Sequence, residues 1–348
     1  MPILLLAQSE NPEKTTDSTL NFVSFPDFFN FDIPEPWPKY EPAINFFLEQ
    51  VKAEQPNFVL VAGDLVNGRW SDSPECVEAN GMLYYGGWVR RMNRHGLTFY
   101  TAIGDHELGD DPWPIEKIKL IPAYEEVYKQ NLKMPQNGPD NKKGLSYFVR
   151  EGDLLIITVS TFEVVADTMR AAVIGEQLTW FQETLEAHKD APFKIVQGHV
   201  GIWGDLNSRS SSKLMLEEGK ESEFYKTMVA YGVDAYLAGE FHDVTVLEAD
   251  GLWQIIHGSS WGRAVVNTQD YLVASLNKNE LNLTLKRLFM EVDGGYMWNV
   301  NKPRGPREIV RISDTSLKNG PEITGTLTIK KEKGKTIFTN QTGYFRKD

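Results

Sequence analysis

The stretch Phe58-Val59-Leu60-Val61-Ala62-Gly63-Asp64 decides the fold. Five apolar residues run without a break, a glycine turns the chain, and a carboxylate follows. Such a run reads as a strand buried on both faces, the situation of a parallel sheet covered on each side. The same construction recurs outward from it. Residues 20–25 run to Pro26-Asp27, and residues 97–103 to Gly104-Asp105-His106-Glu107. Residues 193–197 run to Gly198-His199, and residues 233–238 to Gly239-Glu240-Phe241-His242. Between these strands lie helical patterns. Pro42 opens one with Ile44, Phe47, Leu48 and Val51 on one face. Others span residues 75–94, 176–188 and 224–231, and residues 154–159 read as a further strand. The alternation predicts an α/β fold. Residues 244–247, 253–256, 271–276 and 281–288 then read as antiparallel strands, and 325–330 with 335–339 as a terminal hairpin.

Composition excludes several classes. The chain has 348 residues and a net charge of −12, which repels phosphate backbones and argues against nucleic-acid binding. One cysteine, Cys76, excludes a disulfide framework and any cysteine-based zinc finger. No apolar run approaches the roughly 18 residues of a membrane span. Residues 1–19 read as a flexible lead-in. Its apolar start, Met1 to Gln8, is either a short exposed tail or the remnant of a signal peptide. The second reading favours a periplasmic or secreted location over a cytoplasmic one.

In open α/β sheets, sites form at the carboxyl ends of strands. Four carboxylates and three histidines gather there, a set that needs metal ions or dense hydrogen bonding. In order and spacing the segments Asp27-Phe28-Phe29, Gly63-Asp64, Gly104-Asp105-His106-Glu107, Gly198-His199 and Gly239-Glu240-Phe241-His242 resemble the calcineurin-like metallophosphoesterase family. That family carries D-x-H, G-D, G-N-H-[D/E], G-H and G-H-x-H. The resemblance implies a four-layer α/β/β/α sandwich over residues 20–290, with a β-rich C-terminal extension over 291–348.

It also implies two metal sites. Asp27, Asp64 and His242 would serve the first, where Phe29 replaces a histidine and water or Asp32 would fill in. Asp64, Asp105, His199 and Glu240 would serve the second, with Asp105 in place of asparagine and Glu240 in place of histidine. Four carboxylates instead of the usual two favour hard ions, manganese or iron, with magnesium, calcium and zinc as alternatives. They also weaken attraction for a dianion, so a phosphodiester is favoured over a monoester. By the same resemblance His106 would protonate the leaving group, with Glu107 orienting its ring. Arg69, Trp70, Trp113, Trp203 and Arg263 lie in nearby loops and are candidates for the substrate wall. The expected function is metal-dependent hydrolysis of a small-molecule phosphoric ester by a metal-activated water. The alternatives are a non-catalytic binding relative and a hydrolase of a non-phosphate ester.

The remaining histidines have plainer readings. His95 and His188 close helices, and His257 is a lesser candidate for the site because it ends a strand. Gly258-Ser259-Ser260-Trp261-Gly262 matches the nucleophile elbow, but no histidine follows it to complete a triad.

Overall fold

The computed structural model describes residues 19–27, 41–205, 214–257, 268–292 and 310–346. In chain order the strands are β1 (Leu20–Ser24), β2 (Phe58–Val61), β3 (Phe99–Thr101), β4 (Tyr147–Glu151), β5 (Leu154–Thr158), β6 (Phe162–Val165), β7 (Thr168–Ala171) and β8 (Phe193–Gln197). They continue with β9 (Ala235–Ala238), β10 (Thr245–Ala249), β11 (Leu252–Ile256), β12 (Thr268–Asn277), β13 (Glu280–Val292), β14 (Val310–Ile312), β15 (Glu322–Glu332) and β16 (Lys335–Gly343). The helices are α1 (Glu41–Ala53), α2 (Pro74–Arg94), α3 (Ile115–Ile118), α4 (Ile121–Leu132), α5 (Gly175–Ala187), α6 (Glu223–Ala230) and α7 (Asp314–Asn319).

Two sheets carry the fold. One runs β16-β15-β13-β12-β1-β2-β3, with β14 pairing β13, and the other runs β10-β11-β9-β8-β5-β4. The centre of each is parallel: β1-β2-β3 in the first, β5-β8-β9-β11 in the second. The continuous apolar runs divide by parity. Phe22, Phe58, Leu60, Leu154, Ile156, Ile195, Ala235 and Leu237 form one core with the other inner-face residues. Their neighbours Val23, Val59, Val61, Leu155, Ile157, Val196 and Tyr236 belong to a second core shared with the helices. Side chains alternate across a strand, so one parity fills the space between sheets and the other meets helices. On the first sheet α1 covers this outer face, with Phe47 edge-on to Phe25 and Tyr271 at ring distances of 5.3 and 5.7 Å. On the second, Phe181 of α5 and Phe224 of α6 pack together at 4.9 Å, and Phe224 meets Tyr236 at 6.0 Å. The result is the expected four-layer α/β/β/α sandwich.

Local signals start the helices. Ser73 caps α2 by accepting from the Cys76 amide, and Pro74 sits in the first turn, where a missing N–H costs nothing. Among the described residues no helix is long and apolar enough to cross a membrane. The expected antiparallel strands need one refinement, because β11 pairs antiparallel with β10 but parallel with β9. The C-terminal segment extends the first sheet: β15 pairs β13 and β16 pairs β15. Strand β13 itself runs across residue 290.

Asp270 on β12 is buried, and Arg287 of β13 donates Nε to its Oδ1 at 2.7 Å. Burial outweighs Arg287 and pushes the carboxyl from 3.8 up to about 6. The folded chain therefore holds this proton more tightly than the unfolded chain. Its stabilising contribution is complete below the unfolded value and is lost as pH rises through the folded one. Unfolding free energy measured in urea across that window is expected to fall by about 3 kcal/mol more in the parent than in Asp270→Asn. Equal slopes would sink this account.

Candidate metal centre

Every predicted ligand among the described residues stands just past the carboxyl end of a parallel strand. Asp27 follows β1, Asp64 follows β2, Asp105 follows β3, His199 follows β8, and Glu240 and His242 follow β9. Backbone bonds stitch these ends together across the sheets. The Asp27 amide donates to the Gly63 carbonyl at 3.1 Å, and the Gly239 amide to the His199 carbonyl at 2.8 Å. The Glu240 amide donates to Asp27 Oδ1 at 3.1 Å. Asp27, Asp64, Glu240 and His242 all have left-handed backbones, with φ of 52, 60, 71 and 50°. Non-glycine residues pay for that conformation, and such outliers cluster at functional sites. The glycines between them are needed for space. A Cβ on Gly104 would lie 2.3 Å from Asp64 Oδ1, and one on Gly63 would lie 2.4 Å from His199 Nδ1.

The side chains converge in two overlapping groups. Ligand atoms of Asp64, Asp105, His199 and Glu240 lie within 4.8 Å of one another, as do those of Asp27, Asp64 and His242. His199 Nδ1 is 2.7 Å from the Ala62 carbonyl, an obligate acceptor, so Nδ1 carries the hydrogen. Its Nε2 then faces Asp105 Oδ1 at 2.9 Å, Asp64 Oδ1 at 3.3 Å and Glu240 Oε2 at 3.7 Å. A backbone carbonyl fixing one ring nitrogen so that the other meets a cation is the usual arrangement of a ligating histidine. Asp27 Oδ2 and Asp64 Oδ2 are buried with no hydrogen-bond partner, which a cation would satisfy.

Electrostatics point the same way. Burial, with Glu240 and Asp105 adding to it, pushes Asp27 up to about 7 against the pull of His199. Burial and Asp105 push Asp64 well above the carboxylate range. Burial acts to lower His199, but Asp64, Asp105 and Glu240 outweigh it and raise the ring well above its usual value. Burial also acts to raise Asp105, yet His106 and His199 hold it below the usual range. The pocket thus draws positive charge to its centre. One nitrogen and three carboxylates form a set able to hold a metal ion.

His106 opens a 3-10 turn beside this centre. Its Nδ1 lies 2.5 Å from the Asn67 carbonyl, and Nε2 lies 3.9 Å from both Asp64 Oδ2 and Asp110 Oδ1. Burial acts to lower it, but Asp64, Asp110 and Asp105 prevail and push it up to about 10. Asp110 also binds Arg69 Nε and was not foreseen; it stands three residues past Glu107, just beyond the turn.

Two expectations are corrected. Glu107 does not orient His106. Its carboxylate accepts from the amides of Asp64, Leu65 and Gly104 at 2.8 Å and of Val66 at 3.3 Å, so it binds the β2 and β3 loops to each other. Trp70 is fully buried, stacked on Tyr84 at 5.7 Å and Tyr124 at 6.0 Å, and meets no substrate. Trp113 lies closer to the centre, 5.5 Å from Phe162, which is itself 6.4 Å from His199. Trp203 packs edge-on to Tyr225 at 5.2 Å. His257 is buried between the sheets, with Nε2 2.9 Å from Ser24 Oγ and its charged form disfavoured by burial, down to about 4. Phe29, Asp32, Arg263 and the Gly258–Gly262 motif lie outside the described residues.

The model of the calcineurin-like phosphoesterase family matches residues 32–244. Among solved structures, GAP50, the anchor in the inner membrane complex of Plasmodium, is similar with a TM-score of 0.50 at 13% identity, covering 83% of this chain and 90% of that one. A putative 5'-nucleotidase from Staphylococcus aureus gives 0.43 at 18% identity, over 75% of this chain and 52% of that one. Vacuolar protein sorting 29 from Cryptosporidium parvum gives 0.33 at 14%, over 85% and 98%. No curated protein sequence matches the chain.

Proposed function

Because the chain belongs to the calcineurin-like phosphoesterase family, we propose that it hydrolyses small-molecule phosphoric esters with divalent cations held at the strand ends. The observation that carries this reading is the meeting of Asp64, Asp105, His199 and Glu240 around one point, with His106 alongside. Those four residues would hold one cation, and Asp27, Asp64 and His242 would offer three ligands to a second. A cation bound there supplies Lewis acidity and brings the pKa of water toward neutrality.

The protein's own groups do the rest. Asn67 tethers His106 through Nδ1 and leaves Nε2 facing the centre, placed to hold a proton for the leaving oxygen. Water adds its oxygen to phosphorus, the bond to the leaving oxygen breaks, and that oxygen departs with the proton. Glu107 keeps the Asp64 and Asp105 loops at fixed separation, so the ligands are organised before substrate arrives. Four carboxylates in the ligand set support manganese or iron over zinc, and a monoanionic diester over a dianionic monoester.

The test is a panel of monoesters, diesters and sulfate esters, run after loading with manganese or iron and again after chelation. Phosphate esters are expected to be cleaved, diesters fastest, with activity lost on chelation. Cleavage of sulfate esters alone, or none with any metal, would overturn the reading. Tight zinc at both sites with monoesters preferred would overturn its finer part.

A further inference from the structure

The loops after β2 and β3 enclose, one carboxylate away from His106, a solvent-open cavity of about 580 Å³. Its walls carry Arg69, Ser71, Asp72, Asp110, Asp111 and Lys117, and a glycine completes them. Two features narrow what fits. No side chain in that lining is wholly apolar: the heads are polar and the stems of Arg69 and Lys117 are carbon, so a purely aryl or alkyl group would leave the polar heads unpaired. Two cations stand among three carboxylates, and Asp110 engages both cations. Arg69 Nε binds the Asp110 carboxylate, and Lys117 Nζ donates to the Asp110 carbonyl at 2.5 Å. A second anionic or cationic group on the substrate therefore meets repulsion as well as attraction. A neutral group with several hydroxyls suits the walls best. Each hydroxyl can donate to a carboxylate and accept from an ammonium, a guanidinium or the Ser71 hydroxyl.

Position assigns the role. Asp110 lines the cavity, and its Oδ1 is 3.9 Å from His106 Nε2. The cavity therefore begins on the side of the histidine placed to protonate the leaving oxygen. Resting on the hydrolytic reading above, we propose that this cavity is the leaving-group subsite and that the alcohol released is a polyol or a sugar. Water supplies the oxygen gained by phosphorus, the bond from phosphorus to the polyol oxygen breaks, and the polyol leaves protonated.

The test compares methyl phosphodiesters of glycerol and of propan-1-ol, which differ by two hydroxyls on the same carbon chain. The metal-loaded protein is expected to favour the glycerol ester in kcat/KM by roughly tenfold or more, the worth of a hydrogen bond to a charged group. Lys117→Met is expected to reduce that preference. Equal rates on the two esters, or a preference untouched by Lys117→Met, would overturn the subsite. Free sorbitol is then offered to the full chain and read by saturation-transfer NMR. Transfer weakened in Lys117→Met supports the subsite, and no transfer overturns it, whatever the turnover. Sorbitol binding without cleavage of any ester would instead remove the hydrolytic reading and leave a polyol site.

Discussion

Asp64→Asn is expected to lose both cations and, when metal-free, to melt above the parent. Asp64 belongs to both ligand groups, so among the described residues no other single substitution reaches both. It is buried, its Oδ2 has no hydrogen bond, and burial and Asp105 push its carboxyl up. Folding with that group ionised therefore opposes stability at neutral pH, and a neutral isostere relieves part of that penalty. With metal the order reverses. A cation at a hundred times its dissociation constant stabilises the parent by about 2.7 kcal/mol, and the variant forgoes this. Activity should fall by on the order of a thousandfold, because the lost charge stabilisation is worth several kcal/mol. Metal content by mass spectrometry and melting with manganese or chelator check this. A variant that keeps two cations would show that neither group needs Asp64.

Glu107→Ala is expected to cost on the order of 4 kcal/mol or more. Four backbone amides end on this one carboxylate, and each buried donor left unsatisfied costs about 1–3 kcal/mol, though not additively. For a chain of this size the melting temperature should fall by roughly 5 °C. Glu107→Gln is the sharper variant. It turns an amide donor toward other donors, so it should lose nearly as much stability. Faster hydrogen exchange at Asp64, Leu65 and Gly104 would mark the loosened loops. Full stability in Glu107→Gln would refute the brace.

The convergence of the candidate ligands was legible because a glycine or proline followed by a carboxylate or histidine at a strand end forms a short local pattern, repeated in order. The Glu107 role was not, because adjacent residues do not face one another. In the His106–Leu108 turn the carboxylate points to the β2 loop, 41 to 43 residues away in sequence. Trp70 was misread for a similar reason: its partners Tyr84 and Tyr124 lie on helices that only the fold brings near. Helix α4 did carry a signal, with Ile121, Tyr124, Tyr128 and Leu132 buried along one face. The β6–β7 hairpin carried almost none. Its turn sets Ala166 and Asp167 at φ 46 and 61°, without the asparagine or glycine that normally marks it.

The division of each central strand by parity has a consequence for how the chain finds its native pairing. A one-residue slip of β2 would exchange Phe58 and Leu60 for Val59 and Val61, one apolar set for another. Polarity therefore discriminates weakly between the right and the slipped alignment. What distinguishes them is the row of bonds at the strand ends, such as the Asp27 amide on the Gly63 carbonyl and the Glu240 amide on Asp27 Oδ1. The loops that bear the ligands are thus also the pins of folding specificity. Damage there should yield misaligned, aggregating chains as readily as inactive native ones.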